Sequence, residues 1–325
     1  MSAPLVRTKN LKKYFRTPQG FLHAVDGINM QVQRGRTLGV VGESGCGKST
    51  LGRAILRLVE PTSGEVLFDG KSIVSLGKEE LRKERRRMQM IFQDPYSSIN
   101  PRMTVGELIA DPIGVNGILN SRRSIEARVF ELMKIVGLAD RLFNTYPHEL
   151  DGGRRQRIGV ARALALNPEF IVCDEPVSAL DVSIQAQILN LLMDLQSDLS
   201  LTYMFVTHNL SVVKHISDDI LVMYLGQCVE QAPTDELFAN PVHPYTKALL
   251  SAIPIPDLRY RDTPTEIIKG EVTSPINPRP GCRFASRCVH AQPECVGADI
   301  PQEEISPGHF VSCILAETLL DQAVD

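Results

Sequence analysis

The stretch TLGVVGESGCGKSTLGRAIL, residues 37–56, constrains the fold more than any other. An apolar strand, Leu38 to Val41, runs into a glycine-rich turn and then a helix. The turn, Gly42-Glu43-Ser44-Gly45-Cys46-Gly47-Lys48-Ser49 with Thr50 behind it, fits G-x-x-x-x-G-K-[ST]. Glycines let backbone N–H groups curl inward, and the helix start adds positive partial charge, so the loop suits phosphate oxygens. Lys48 is placed to reach the β- and γ-phosphates, and Ser49 to put its hydroxyl on Mg²⁺. The strand before and the helix after separate this loop from a chance match. Cys46 reads as a small loop residue, not a reactive thiol.

A second strand carries the matching acids. FIVCDEP, bounded by Pro168 and Pro176, is apolar up to Asp174. A carboxylate at such a strand end orients a metal in phosphate-handling folds. Glu175 follows, and hydrolysis needs a base within hydrogen-bond reach of the attacking water. Alone, a glutamate after a strand is a loop-tip charge; Asp174 and the glycine loop frame this one. His208, ending the strand YMFVTH, and Gln93, after MIF, are ambiguous by position alone.

The rest of the chain supports an α/β fold. Residues 4–33 read as short strands, and GEVLFDGKSI as a hairpin turning at Asp69-Gly70. From Pro95 to Leu166 helical spacing takes over, as in Ile125, Val129, Leu132 and Val136. SIQAQILNLLMDLQSDL is an amphipathic helix, and DDILVMYLGQCVEQA reads as a hairpin. Strands alternating with helices imply a largely parallel sheet. After Pro233 prolines recur, including Pro241, Pro244, Pro254, Pro256 and Pro264, and the ending reads as an irregular appendage.

HELDGGRRQR, residues 148–157, poses a question, because it is a second candidate anion loop in the same chain: two glycines and then an arginine-rich helix. With it, the motifs run in a fixed order: the Lys48 loop, the FQ glutamine, Gly152-Gly153, CDE, SALD and His208. In that order the chain resembles an ATP-binding cassette (ABC) ATPase over residues 5–250. FQDPYSSINPRMTV and NPVHPYTKALLSAIP narrow the resemblance to subunits that power oligopeptide, dipeptide and nickel importers.

The resemblance implies a P-loop NTPase (RecA-like) core with an antiparallel β subdomain and an inserted helical signature subdomain. The cassette would span 1–250, with its helical subdomain at about 94–166, and a Cys-rich extension would take 251–325. It also answers the question of the second loop. Two cassettes pack head to tail, and each Gly-Gly loop closes over the ATP held by the other. Tyr14 or, at the better offset, Phe15 would stack on adenine. Gln93 would contact Mg²⁺ or the attacking water, Asp181 would face the dimer seam, and His208 would hold the γ-phosphate and Glu175.

The chain departs from the family at Asp151. The usual L-S-G-G reads Leu150-Asp151-Gly152-Gly153 here. Serine offers a donor to phosphate, whereas an ionised Asp151 offers only acceptors and a like charge. Asp is also a good N-cap, so it can simply start the helix. The sharper reading is an asymmetric pair of ATP sites.

Cys282, Cys288, Cys295 and Cys313 crowd the ending with spacing C-x5-C-x6-C-x17-C, which is not the C-x2-C of a zinc ribbon. Thiolates in a small segment suggest a metal staple, either zinc or iron–sulfur, with free thiols or disulfides as the remaining reading. Resemblance to importer ATPases that carry such an ending tips the expectation to a [4Fe–4S] cluster of structural or regulatory role. His290 and His309 are spare ligands.

Composition narrows the function classes. With 35 basic and 38 acidic side chains the net charge is −3, so nothing marks a nucleic-acid binder. The RKERRR run, residues 82–87, sits among Glu79, Glu80 and Glu84 and reads as a solvated helix face. No apolar run reaches the length of a membrane span, and MSAPLVRTKN lacks a secretory signal. The expected protein is a peripheral ATPase on the cytoplasmic face of the inner membrane, powering peptide import. Its expected partners are a second cassette, a paralogue, with two permease subunits and an extracytoplasmic binding protein. A nickel importer subunit, a soluble cassette ATPase acting on nucleic acid or ribosomes, and an iron–sulfur redox protein are the rivals.

Overall fold

The computed structural model describes residues 3–253, 270 and 273–321. Pro254, Pro256 and Pro264 of the proline-rich ending lie outside the described residues. The chain forms two compact units. A helical unit takes the N-terminal residues up to Leu5, Val32–Arg36 and Ser75–Phe205. A loop unit takes Val6–Gln31, Thr37–Val74 and the described residues from Val206 on.

The loop unit opens with β1 (Val6–Thr17), β2 (Gly20–Val32), β3 (Thr37–Val41), α1 (Lys48–Ile55), β4 (Ser63–Phe68) and β5 (Lys71–Ser72). Four of these strands form a sheet in the order β2-β1-β4-β5. β1 and β4 run antiparallel with Val6 opposite Phe68 and Thr8 opposite Val66, and all four side chains are buried. Period-2 alternation puts them on one face. The register slips at a bulge between Lys9 and Lys12. There Asn10 takes φ 46°, and a Cβ at Gly64 would lie 2.2 Å from its carbonyl oxygen, so only glycine fits opposite the bulge. Asp69 and Gly70 both have positive φ and close the β4–β5 hairpin.

The helical unit follows with α2 (Lys78–Arg87), β6 (Met88–Ile91), α3 (Pro95–Ser98), α4 (Val105–Asn116), α5 (Arg122–Ile135), α6 (Gly152–Leu164), β7 (Phe170–Asp174), α7 (Val182–Leu199) and β8 (Thr202–Val206). Its strands lie in the order β8-β7-β6. β6 and β7 are parallel, with Met88 opposite Phe170 and Ile91 opposite Cys173. β7 and β8 are buried along their whole length, as continuous apolar runs in parallel sheets are. The helices bury Leu108 and Ile109 of α4, Val129 and Leu132 of α5, and Ile158 of α6. α4 begins in a capping box, the Thr104 hydroxyl accepting from the Glu107 amide at 3.3 Å and the Glu107 carboxylate from the Thr104 amide at 2.7 Å. The basic run forms α2, which turns Leu81 inward and ties Arg87 to Glu84 and Glu169.

The loop unit resumes with α8 (Leu210–Ile216), β9 (Asp219–Tyr224), β10 (Gln227–Pro233), α9 (Thr234–Ala239), α10 (Pro244–Ser251), β11 (Glu303–Ser306), β12 (His309–Val311) and α11 (Ala316–Asp321). The strand order is β11-β12-β10-β9-β3. β3 pairs parallel with β9, Leu38 opposite Asp219 and Val41 opposite Val222. β9 and β10 form the expected hairpin. α8 approaches β3 so closely that a Cβ on Gly39 would lie 2.5 Å from Val213 Cγ1.

The ending is more regular than its prolines suggest. β11 and β12 make a hairpin, and β12 pairs with β10, Glu230 opposite Val311. The edge of β10 has unpaired backbone groups to satisfy, and the hairpin supplies partners. The segment hides this because Glu303 and Glu304 interrupt the apolar alternation.

A buried hydrogen-bonded pair fastens the hairpin. Glu230 and His309 are both 0% exposed. His309 Nε2 donates to Glu230 Oε1 over 2.8 Å, and the same carboxylate accepts the backbone N–H of Val242 at 2.8 Å and of His243 at 2.9 Å. Burial pushes His243 down to about 4, so it stays neutral and accepts the Tyr245 amide at Nδ1. His309→Ala leaves Glu230 buried without its ring partner. The expected loss is about 1–3 kcal/mol of stability, read from denaturant unfolding. Among the described residues, no helix is long and apolar enough to cross a membrane.

Candidate functional site

In the loop unit, β3 delivers the chain into the glycine turn. Gly42, Gly45 and Gly47 take φ of 149°, 79° and 106°. A Cβ on Gly47 would fall 1.9 Å from the Ala24 carbonyl oxygen, and one on Gly42 would fall 2.1 Å from that of Met223. The turn is therefore closed to other residues by both torsion and space. Gly47 is the N-cap of α1, and Lys48, Ser49 and Thr50 form its first turn. Lys48 is 5% exposed, and its ammonium donates to the carbonyls of Gly42 at 2.8 Å and Glu43 at 2.9 Å. Ser44 and Gly45 lie on the same loop. Cys46 is buried, and burial pushes its thiol up, in keeping with a packing residue.

The two candidate aromatics of β1 divide. The Tyr14 hydroxyl bonds to Asp26, and its ring stacks on His23 at 3.8 Å. Phe15 stays 36% exposed, with the Lys13 ammonium 4.8 Å from its centroid. Of the two rings, only Phe15 is left accessible for stacking. His208 is exposed at the end of β8, just before Asn209, which caps α8 through the amides of Ser211 and Val212.

In the helical unit, Asp174 ends β7 fully buried. Glu175 follows in a left-handed conformation, φ 45°, uncommon for a non-glycine residue. Its Oε2 accepts a 2.9 Å hydrogen bond from Gln93 Nε2. Gln93, ambiguous in the sequence, is thus brought beside the candidate base. Asp181 caps α7, accepting from the Ile184 amide at 3.0 Å.

Asp151 caps α6, its Oδ1 accepting from the Arg154 amide at 2.7 Å, and its Oδ2 lies 3.5 Å from the Arg154 guanidinium. The helix-starting role open to it in the sequence is the one its carboxylate performs. Gly152 and Gly153 serve packing as well. A Cβ on Gly153 would lie 2.7 Å from Ile184 Cγ2, and one on Gly152 would lie 3.0 Å from Leu180 Cδ2. The start of α7 presses on the glycine pair.

The expected cluster is not assembled. Among the described residues, no three His, Cys, Asp or Glu side chains gather closely enough to hold a metal ion. Cys282, Cys288, Cys295 and Cys313 are all free thiols. They share one small region, with the Cys282 amide donating to the Cys295 carbonyl at 2.8 Å. Burial, reinforced by its three cysteine neighbours, pushes the Cys282 thiol up to about 11. The spacing brings them into one neighbourhood, where they act on one another electrostatically. His309 is committed to Glu230 and is no spare ligand.

Sequence reasoning missed Tyr245 and Arg287. The Glu43 amide donates to the Tyr245 hydroxyl at 2.9 Å, and Arg287 Nη1 lies 2.9 Å from the Glu43 carboxylate. NPVHPYTKALL stood out, but nothing in it announced contact with the glycine loop.

A strand, glycine loop and clamped lysine in one unit, and a buried strand-end aspartate with a glutamine-held glutamate in the other, define a P-loop nucleotide-binding ATPase. A family model described as ABC transporter matches residues 25–178, and one described as the C-terminal region of oligopeptide/dipeptide transporters matches 229–295. The oligopeptide transport ATP-binding proteins OppF of Salmonella typhimurium and of Escherichia coli are each 52% identical over 312 residues, 96% of this chain and 93% of theirs. A solved dimer of the ATP-binding cassette MJ0796, bound to ADP and Pi, aligns with TM-score 0.65 and 31% identity, over 70% of this chain and 98% of that one. The cassette cbiO1 of Clostridium perfringens aligns with TM-score 0.65 and 28% identity, over 73% of this chain and 92% of that one. This chain belongs to the ATP-binding subunits of ABC transporters, in their oligopeptide/dipeptide family.

Proposed function

We propose that this chain hydrolyses ATP to drive import of di- and oligopeptides through a membrane complex. The observation that carries the reading is that likeness to OppF runs through the cassette and the C-terminal region alike, 52% over 96% of the chain. Partners of the family type follow: a second cassette, a paralogue, packed head to tail, with two permease subunits and an extracytoplasmic binding protein. MJ0796, solved as a dimer, supports the pairing. The chain then works peripherally at the cytoplasmic face of the membrane. Its cassette runs through residue 250 and its extension covers 251–325, with a helical subdomain at about 94–166.

The residue roles follow the family. Gly42 to Gly47 and the start of α1 hold the phosphates with backbone N–H groups, and Phe15 stacks on adenine. Ser49, Asp174 and Gln93 offer the oxygen donors that Mg²⁺ prefers, where the ion would balance phosphate charge. Glu175 takes a proton from the attacking water as the water oxygen bonds to the γ-phosphorus and the bond to the bridging oxygen breaks. Gln93 orients that carboxylate, an arrangement supported by their 2.9 Å hydrogen bond. His208 steadies the γ-phosphate. Gly152 and Gly153 offer helix-start amides to the partner's ATP, and Asp181 faces the seam between cassettes. The four cysteines have no step in this reading.

Reconstituting the complex in liposomes tests the reading. ATP-dependent uptake of a labelled tripeptide, with ATPase stimulated by peptide-loaded binding protein, is expected. Stimulation by nickel alone would assign a different cargo. Asp151→Ser removes a like charge facing the partner's γ-phosphate and is expected to raise the ATPase rate of the assembled complex about 2- to 5-fold, a few tenths to one kcal/mol of surface electrostatics. An unchanged rate and ATP affinity would leave Asp151 a plain helix cap.

A further inference from the structure

The glycine loop contains a carboxylate, and the C-terminal segment neutralises it. Glu43 is the second residue of a turn whose purpose is to hold anions, and a charge of the same sign there opposes ATP. Its own carbonyl is one of the two that hold the Lys48 ammonium, at 2.9 Å, so its backbone belongs to the working part of the loop. Arg287 comes from a short 3-10 turn, Ala285–Arg287, flanked by Cys282 and Cys288. Its Nη1 reaches both Glu43 oxygens, at 3.1 and 2.9 Å, and the Tyr224 hydroxyl at 3.2 Å.

This is a built contact, not a surface pair. The Arg287 side chain is 8% exposed and that of Glu43 is 27% exposed. The Glu43 amide is held separately by the hydroxyl of Tyr245, a fully buried residue. Tyr224, Tyr245 and Phe284 brace one another with centroids 4.7 to 5.3 Å apart and carry both hydroxyls. Loop residue 43 is therefore fixed at its side chain by the extension and at its backbone by α10.

We infer that Arg287 is a positioning residue for nucleotide binding: it cancels the Glu43 charge beside the phosphates and fixes the loop that carries Lys48. The C-terminal segment thereby sets the ATP affinity of the cassette. The inference rests on ATP being the ligand of this loop, and Lys48→Ala in the same assay checks that premise separately.

The test is ATP binding to the full-length chain, measured by equilibrium dialysis. Arg287→Gln exposes the phosphates to an uncancelled carboxylate and weakens binding roughly tenfold, the effect of one nearby unit charge in a partly solvated site. Glu43→Gln leaves Arg287 uncancelled and tightens binding by about 3- to 10-fold. The double variant returns to within about 3-fold of the parent, because charge balance is restored. A double variant as weak as Arg287→Gln alone would mean a merely structural contact and overturn the inference. So would a Glu43→Gln protein that binds no tighter than the parent. If Arg287→Gln fails to fold, the sign of the Glu43→Gln effect decides alone. If Lys48→Ala binds as well as the parent, the premise about the loop fails instead.

Discussion

Glu175→Gln is expected to bind ATP and to hydrolyse it roughly 10²- to 10⁴-fold more slowly, the usual worth of a positioned base. The amide cannot take a proton from water, so the chemical step loses its acceptor. Binding is preserved because the substitution keeps the shape, and an amide oxygen can still accept the bond that Gln93 donates over 2.9 Å. The strained backbone of residue 175, φ 45°, is likewise retained, since glutamine tolerates it as glutamate does. Single-turnover hydrolysis with saturating ATP, alongside a dialysis measurement of affinity, separates the two effects. Turnover within tenfold of the parent would place the base elsewhere. A matching loss of affinity would make Glu175 a binding group.

Lys48→Ala lowers ATP affinity by about 10²- to 10³-fold, the cost of removing one preorganised charged donor from an anion site. The ammonium is 5% exposed and already fixed by the carbonyls of Gly42 and Glu43, so little ordering remains to be done when phosphate arrives. Alanine also removes the stem that packs inside the loop. Lys48→Met keeps most of that volume and is expected to lose affinity to the same extent while melting at the parent's temperature. Lys48→Arg keeps the charge but brings a planar fork too large for the turn, and is expected not to rescue binding. Full affinity in Lys48→Met would remove the loop from the nucleotide site.

Legibility in the sequence tracked how local each feature is. The glycine loop could be read because its geometry is dictated within eight residues: positive φ at Gly42, Gly45 and Gly47 admits no other side chain cheaply. Asp174 could be read from the strand that ends in it. The hydrogen bond between Gln93 and Glu175 could not, since 82 residues separate them. Asp151 keeps two readings: its carboxylate caps α6 on the Arg154 amide, and the effect of its charge on a facing phosphate is left to the Asp151→Ser variant. For the cysteine ending, thiol number and spacing suggest a ligand set, but meeting of the sulfurs is a property of the fold, and no metal-holding group is formed among the described residues. The β11–β12 hairpin was under-read because its outward face is acidic and its pairing partner, β10, lies far back in the chain.

The order and content of the motifs settled the class of chemistry, a P-loop ATPase, because each motif is a short run whose backbone torsions and donor atoms follow from its own residues; the peptide-importer type came from resemblance to that family. Tertiary structure alone decided which distant side chains meet. Arg287 meets Glu43 across 244 residues, and His309 meets Glu230 across 79. Such partners are chosen by burial: a polar or charged group removed from water must find a hydrogen-bonding partner, and the packed fold determines which one lies within reach.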